Sequence, residues 1–281
     1  MLSPALDSAR RHPLVTGVVG AVAVSILLRA YDAGDLGRAV AYLAVVVVSV
    51  ILVDLVVWRS RNPGEAVAVR NAGLELGVLA VSFAAGAAWL YARFVARYQP
   101  APGLFRLVWL ALLVGCVFNA LPALFLLARR YRVSELGVRA SGLAAFPLVL
   151  AIFAASSLVL FPGAVTWKGI VAETGGSWSA ILGTALLAAV PEEFFRFAWQ
   201  TRVGAWLKRP AAGWLVASIA WALLHGPKDW DESHSVGDTV MGMVDIVPLG
   251  LLWGYLTRRS QSMLPSVLLH LTNVWGLQNL M

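Results

Sequence analysis

Charge is what this sequence lacks. Of its 281 residues only 13% are Asp, Glu, Lys or Arg, against 59% hydrophobic, and its mean hydropathy is +0.76. A soluble domain carries roughly 25% charged residues, so a chain this apolar has too little polar surface to cover a water-facing fold. It belongs to the membrane class. Cysteine is nearly absent as well. Cys116 stands alone in an apolar run, which excludes an internal disulfide and any cysteine-based metal site. There is no low-complexity segment and no internal repeat. The net charge of +7 does not point to nucleic acid, because the basic residues are scattered between apolar runs instead of gathered on one face.

Crossing a bilayer takes about 20 mainly apolar residues, with about 17–25 usable. Nine stretches approach that length: Leu14–Leu28, Val40–Val57, Leu76–Tyr91, Leu107–Leu127, Ala144–Phe161, Trp178–Phe197, Ala211–Leu224, Thr239–Leu256 and Met263–Leu277. The first and seventh are short, so the pattern predicts an all-α, polytopic transmembrane bundle of eight or nine spans. The apolar run after Arg10-Arg11-His12 has no clear small-residue cleavage site and is read as the first membrane anchor. The N-terminal segment and alternate loops, which include Arg59, Arg129, Arg130, Arg202, Lys208, Arg258 and Arg259, hold twice as many basic residues as the opposite loops. That bias predicts a cytoplasmic N-terminus.

The chain divides near Ala128–Gly142. Residues 1–130 form nearly nonpolar spans and read as scaffold. Residues 131–281 hold almost every polar group at membrane depth and read as the working part. Ionisable residues at the bilayer centre cost about 2.5–3.5 kcal/mol each on insertion scales, so their presence calls for a reason.

Three places carry that cost. In Pro191-Glu192-Glu193-Phe194-Phe195-Arg196, burial and mutual repulsion disfavour two charged carboxylates side by side. Arg196 follows Glu192 by four residues and Glu193 by three, both spacings that share a helical face. One Glu can then stay ionised against Arg196 while the other serves as a base; the bland alternative is that both only pair with Arg196 and cap a helix. The second place is Trp221-Ala222-Leu223-Leu224-His225, and the third is His270-Leu271-Thr272-Asn273. Counted along their helices at about 1.5 Å per residue, Glu192 and His225 lie deep in the bilayer from opposite faces. Asp245 is also mid-span and either lines the same cavity or pairs with a neighbouring helix. Asp54 reads as interfacial, and Asp229, Asp231, Glu232 and His234 as a polar loop that is solvated or holds a cation.

These residues resemble the CPBP family of intramembrane glutamic proteases, bacterial relatives of the CAAX prenyl endopeptidase. The similarity rests on Glu192, Glu193 and Arg196; on Trp221 and His225; and on His270 with Asn273. Leu249-Gly250-Leu251-Leu252-Trp253-Gly254-Tyr255 and Leu264-Pro265-Ser266-Val267-Leu268-Leu269-His270 are similar to the family's last motif region, and Leu136-Gly137-Val138-Arg139 to a segment ahead of its core. There are three departures. The steps from Glu193 to Arg196 and from His270 to Asn273 are three residues where the family has four, and Trp221 stands where Phe is commoner.

The resemblance implies hydrolysis of a peptide bond in a membrane-embedded or lipid-anchored protein or peptide, in a bacterial cytoplasmic membrane. Glu192, or else Glu193, would activate a water, His225 would position it and shuttle the proton, and His270 and Asn273 would stabilise the oxyanion. Arg196 would hold the Glu pair, with Trp221 and Asp245 as orienting residues. No cofactor would then be required. A zinc ion on Glu192, His225 and His270 is the rival chemistry. The chain has no His-Glu-x-x-His, no Gly-x-Ser-x-Gly, and only a partial presenilin-type motif at Gly237-Asp238. A proton-coupled transporter and a catalytically silent immunity or assembly factor of the same fold are the alternatives from other classes.

Overall fold

The structure is a computed structural model that describes residues 12–60, 67, 69–94, 120–140, 147, 151 and 189–272. Among the described residues all regular structure is helical: α1 (Pro13–Asp32), α2 (Leu36–Ser60), α3 (Ala72–Phe94), α4 (Leu121–Ala128), a 3-10 turn (Val133–Leu136), α5 (Val190–Trp206), α6 (Pro210–Leu223), α7 (Gly226–Ser233), α8 (Val236–Ser260) and α9 (Leu264–Thr272). Three are long and apolar enough to cross a membrane, over Pro13–Asp32, Leu36–Val56 and Val236–Ser260; Ala72–Ala85 and Pro210–Leu223 are shorter apolar stretches. Most of the expected spans Ala144–Phe161 and Leu107–Leu127, the first half of Trp178–Phe197, Cys116 and Asn273 lie outside the described residues.

Two elements differ from expectation. Helix α5 runs to Trp206, past the expected end at Phe197. The polar run Gln200-Thr201-Arg202 does not stop it, because Thr201 and Arg202 find partners inside. The Thr201 hydroxyl donates to the Phe197 carbonyl at 2.8 Å, and Arg202 is buried and bonds Glu75 at 3.0 Å. Arg202 therefore sits within a helix and not in a basic loop. The polar stretch after His225 is also not a loop but α7, opened by a proline in its first turn and ended at His234 with φ 51°. Ser235 then caps α8, its hydroxyl accepting from the Asp238 N–H at 3.3 Å, which satisfies one of the free donors at a helix start.

Helix α8 is the spine of the described bundle. Its 25 residues include Pro248, which cannot donate to the carbonyl four residues back. Side chains from three other helices donate to its carbonyls around this point. Tyr42 of α2 bonds the Asp245 carbonyl (3.0 Å), Ser218 and Trp214 of α6 bond those of Gly250 (3.1 Å) and Leu251 (2.9 Å), and Ser266 of α9 bonds that of Trp253 (2.9 Å). In an apolar medium every such bond replaces one that water cannot supply. Gly250 and Gly254, four apart, let α6 come close: a methyl on Gly250 would lie 2.8 Å from the Trp221 ring.

The turn from α8 to α9 is held by the segment Gly137–Arg139. The Ser262 hydroxyl donates to the Arg139 carbonyl at 2.7 Å and accepts from the Leu264 N–H, and the Met263 N–H bonds the Gly137 carbonyl at 2.8 Å. Gly137 has φ 89° and lies against the Phe197 ring, a conformation that costs a residue with a Cβ. The start of α9 is thereby tied to α5.

Helices α5 and α6 meet most closely at Gly213, where a Cβ would come within 2.4 Å of the Gln200 carbonyl and 2.5 Å of the Gly204 nitrogen. Both are backbone atoms and cannot yield without separating the helices. Gly213→Ala is expected to cost about 1–3 kcal/mol and to lower the melting temperature of the detergent-purified protein. Gly77→Ala, where a Cβ meets nothing within 4 Å, is the matched control and should melt at or above the wild-type temperature.

Candidate active site

Four helices bring one side chain each, or a pair, to a common point. Glu192 and Glu193 come from the first described turn of α5, Trp221 from the last turn of α6 with His225 just beyond it, Trp253 from α8 and His270 from α9. Consecutive helical residues point about 100° apart, so Glu192 and Glu193 face different surroundings. The structure assigns them different partners.

Glu193 is fully buried. It forms an ion pair with Arg196, itself only 1% exposed, and accepts from His270 Nδ1 at 3.0 Å. Burying a charge is tolerated only where a partner offsets it. The Arg196 guanidinium also lies 5.2 Å from both the Trp221 and Trp253 ring centres, where the negative ring faces favour a cation.

Glu192 is 22% exposed. Its Oε2 accepts from Trp221 Nε1 at 2.5 Å and stands 3.7 Å from His270 Nε2 and 4.0 Å from His225 Nε2. The two imidazole distances are too long for direct hydrogen bonds and match a separation that one bridging water spans. His225 Nδ1 contacts the Trp221 carbonyl at 3.2 Å. A carbonyl only accepts, so Nδ1 is the donor in this contact and Nε2 is the nitrogen that faces Glu192.

Aromatic rings fix both histidines. Trp253 stacks on His270 with ring centres 4.3 Å apart and planes 23° from parallel, and Trp221 meets His225 edge-on at 4.7 Å. Trp221 thus does three things: its N–H bonds Glu192, its carbonyl orients His225, and its ring packs beside Trp253. Sequence reasoning assigned Trp253 no role. The available signal was a Trp between two glycines four apart on an apolar helix, but only the crossing with α9 turns it towards a histidine.

Asp245 stands elsewhere. It pairs with Arg29 of α1 at 2.5 Å and lines a small pocket at the α1–α2 turn with Tyr42 and Arg38. Asp54 accepts from the Tyr255 hydroxyl at 2.7 Å and pairs with Arg259 at 2.7 Å. A second buried cluster escaped the sequence reading because Glu75 falls at the edge of an apolar run. Fully buried, it bonds Arg202 at 3.0 Å and the Tyr131 hydroxyl at 2.8 Å, linking α3, the stretch after α4, and α5. Burial pushes the Tyr131 phenol up, which keeps it a donor. Among the described residues no group of three or more His, Cys, Asp or Glu side chains is arranged to hold a metal ion.

Residues 174–276 match the family model described as Type II CAAX prenyl endopeptidase Rce1-like. Over these residues the chain is similar to that family. The match spans over a third of the chain, runs from before α5 through α9, and contains Glu192, Glu193, Arg196, Trp221, His225, Trp253 and His270. No curated protein and no solved structure matches the chain. The family so described is one of CAAX prenyl endopeptidases.

Arg196 has Glu193 as its only acidic partner among the described residues. Glu193→Gln should destabilise the fold by about 3–5 kcal/mol by leaving Arg196 buried and uncompensated. Adding Arg196→Met should restore most of that loss, as read from melting temperatures of the two single variants and the double variant. Glu192→Gln, at a partly exposed position without a cationic partner of this kind, should melt close to wild type.

Proposed function

We propose that the protein is an intramembrane endopeptidase in which Glu192 is the general base and Glu193 a structural anion. The observation that carries this reading is the convergence of Glu192 Oε2, His225 Nε2 and His270 Nε2 within 4.0 Å, with Glu193 already engaged by Arg196. A water between these atoms donates one proton to Glu192 and the other to His225 Nε2, which turns an oxygen lone pair outward. As that oxygen bonds to the substrate carbonyl carbon, Glu192 takes the proton, and the carbonyl π electrons move onto oxygen. When the C–N bond breaks, the proton passes by way of His225 to the leaving amine nitrogen.

His270 faces Glu193 through Nδ1 and the reaction space through Nε2. A ring protonated at both nitrogens donates to Glu193 on one side and to the oxyanion on the other, the role of a preorganised donor in a low-dielectric site. Asn273, three residues on from His270 in the sequence, supplies a second donor in this proposal. Trp221 and Trp253 are positioning residues that act through the histidines and Glu192. The chemistry as written needs no cofactor.

The substrate is a membrane-embedded or lipid-anchored protein or peptide, in keeping with the Rce1-like segment. In this reading the protein lies in a bacterial cytoplasmic membrane, as the family resemblance implies, and the basic-residue bias supports a cytoplasmic N-terminus. That bias is weaker than the raw count, because Arg202 is buried in α5 and not in a loop. A transporter would need no such alignment of two imidazoles on one carboxylate, and a silent homologue would be free to lose it.

The test compares membranes from cells carrying wild type, Glu192→Gln or His225→Ala at matched levels, by mass spectrometry of newly formed peptide termini. Cleavages present in wild type should fall by roughly 10²–10⁴-fold in both variants, and Trp221→Phe should retain part of the activity. Identical termini in all three strains would remove the protease reading. Wild-type cleavage should also persist in a strong zinc chelator; loss with chelator and recovery with added zinc would replace the metal-free mechanism with a zinc one on the same residues.

A further inference from the structure

At the end of the bundle away from Glu192, α5, α6 and α8 enclose a cavity of about 500 Å³. Its walls include Phe197 and Pro210, and its polar groups include Gln200, Lys208, Arg258 and Gln261. No catalytic group lines it. Gln200 is two turns along α5 from Glu192, and the cavity sits where α5 and α8 end in the basic residues Lys208, Arg209, Arg258 and Arg259.

The charges here are unbalanced. Arg259 is paired with Asp54. Among the described residues, neither Lys208 nor Arg258 forms an ion pair. Lys208 adopts φ 53° and Gln261 φ 54°, left-handed turns that end α5 and α8 beside the cavity. Gln200 is only 6% exposed, and its Oε1 meets no donor among the described residues. A buried acceptor without a donor is costly but does not itself hold an anion, so that part falls to the two cations. Lys208 and Arg258 beside an apolar-walled cavity at the ends of membrane helices form a complementary surface for a phosphoryl anion carried on an apolar body.

We propose that this cavity binds the phosphate headgroup of an anionic phospholipid, with Lys208 and Arg258 on the phosphate, Gln200 within the pocket, and the glycerol and upper acyl region against Phe197 and Pro210. The site is separate from the proteolytic one and does not depend on it. Basic pockets between membrane helices take anionic headgroups by this chemistry, each basic residue adding to affinity.

Native mass spectrometry of the full chain in mild detergent, titrated with phosphatidylglycerol, phosphatidylcholine or inorganic phosphate, tests it. Wild type should retain phosphatidylglycerol in preference to phosphatidylcholine. Lys208→Gln with Arg258→Gln should weaken phosphatidylglycerol binding roughly tenfold or more. Lys208→Arg with Arg258→Lys should keep it, and Arg209→Gln, outside the cavity, should leave it unchanged. Each variant is first matched to wild type by melting temperature. If the double neutral variant does not fold, the exposed Lys208→Gln alone carries the comparison, with a smaller loss expected. Equal retention of both lipids, or undiminished phosphatidylglycerol binding by the neutral variant, would overturn the proposal. Displacement of the lipid by equimolar inorganic phosphate would overturn the lipid assignment and give the pocket to a free phosphate.

Discussion

Two neighbouring carboxylates in an apolar bundle repel each other and lack water to screen them. Arg196 resolves that conflict by pairing with Glu193, which is fully buried and also bonded to His270. The arrangement has two consequences. It separates the roles of the two acids, leaving Glu192 partly exposed and aimed at both imidazoles. It also makes Glu193 the anchor that orients the ring of His270. Without a cation on the same helix face, Glu193 would compete with Glu192 for the proton, and His270 would lose its anionic partner.

The rest of the described fold serves to hold that pair in register with α6, α8 and α9. Helix α8 supplies the floor. Its glycines admit the Trp221 ring, its Trp253 stacks on His270, and its carbonyls near Pro248 receive donors from three other helices. Gly137–Arg139 binds the turn before α9, and the Glu75–Arg202–Tyr131 cluster ties α5 to the N-terminal helices. Glu75, Arg202 and Tyr131 are bonded to one another in the interior. A low-dielectric interior makes such bonds strong and makes their loss expensive. Positioning residues of this kind therefore extend well beyond the groups that touch the reaction.

Much of the site was legible along the chain because charge in a hydrocarbon setting stands out. Glu192, Glu193, Arg196, His225 and His270 were visible as ionisable residues within apolar runs, and a step of three or four residues decided which could share a helix face. Trp253 and Glu75 were not legible. A tryptophan in an apolar helix is unremarkable until its neighbour across the crossing is known, and a glutamate at the edge of an apolar run resembles any interfacial acid. Arg202 was misplaced for a related reason: a polar run reads as the end of a helix unless its partner, 127 residues away, is in view.

The sequence by itself determined the solvent, the helical class and the side chains able to do acid–base work, because composition and helical period are local properties. It also limited Arg196 to the Glu pair. Tertiary structure alone decided which Glu took Arg196, that His225 and His270 both face Glu192, and that Asp245 pairs with Arg29 away from the site. Those outcomes depend on helix crossings, and crossings are set by where small residues permit close approach and where buried polar groups find partners.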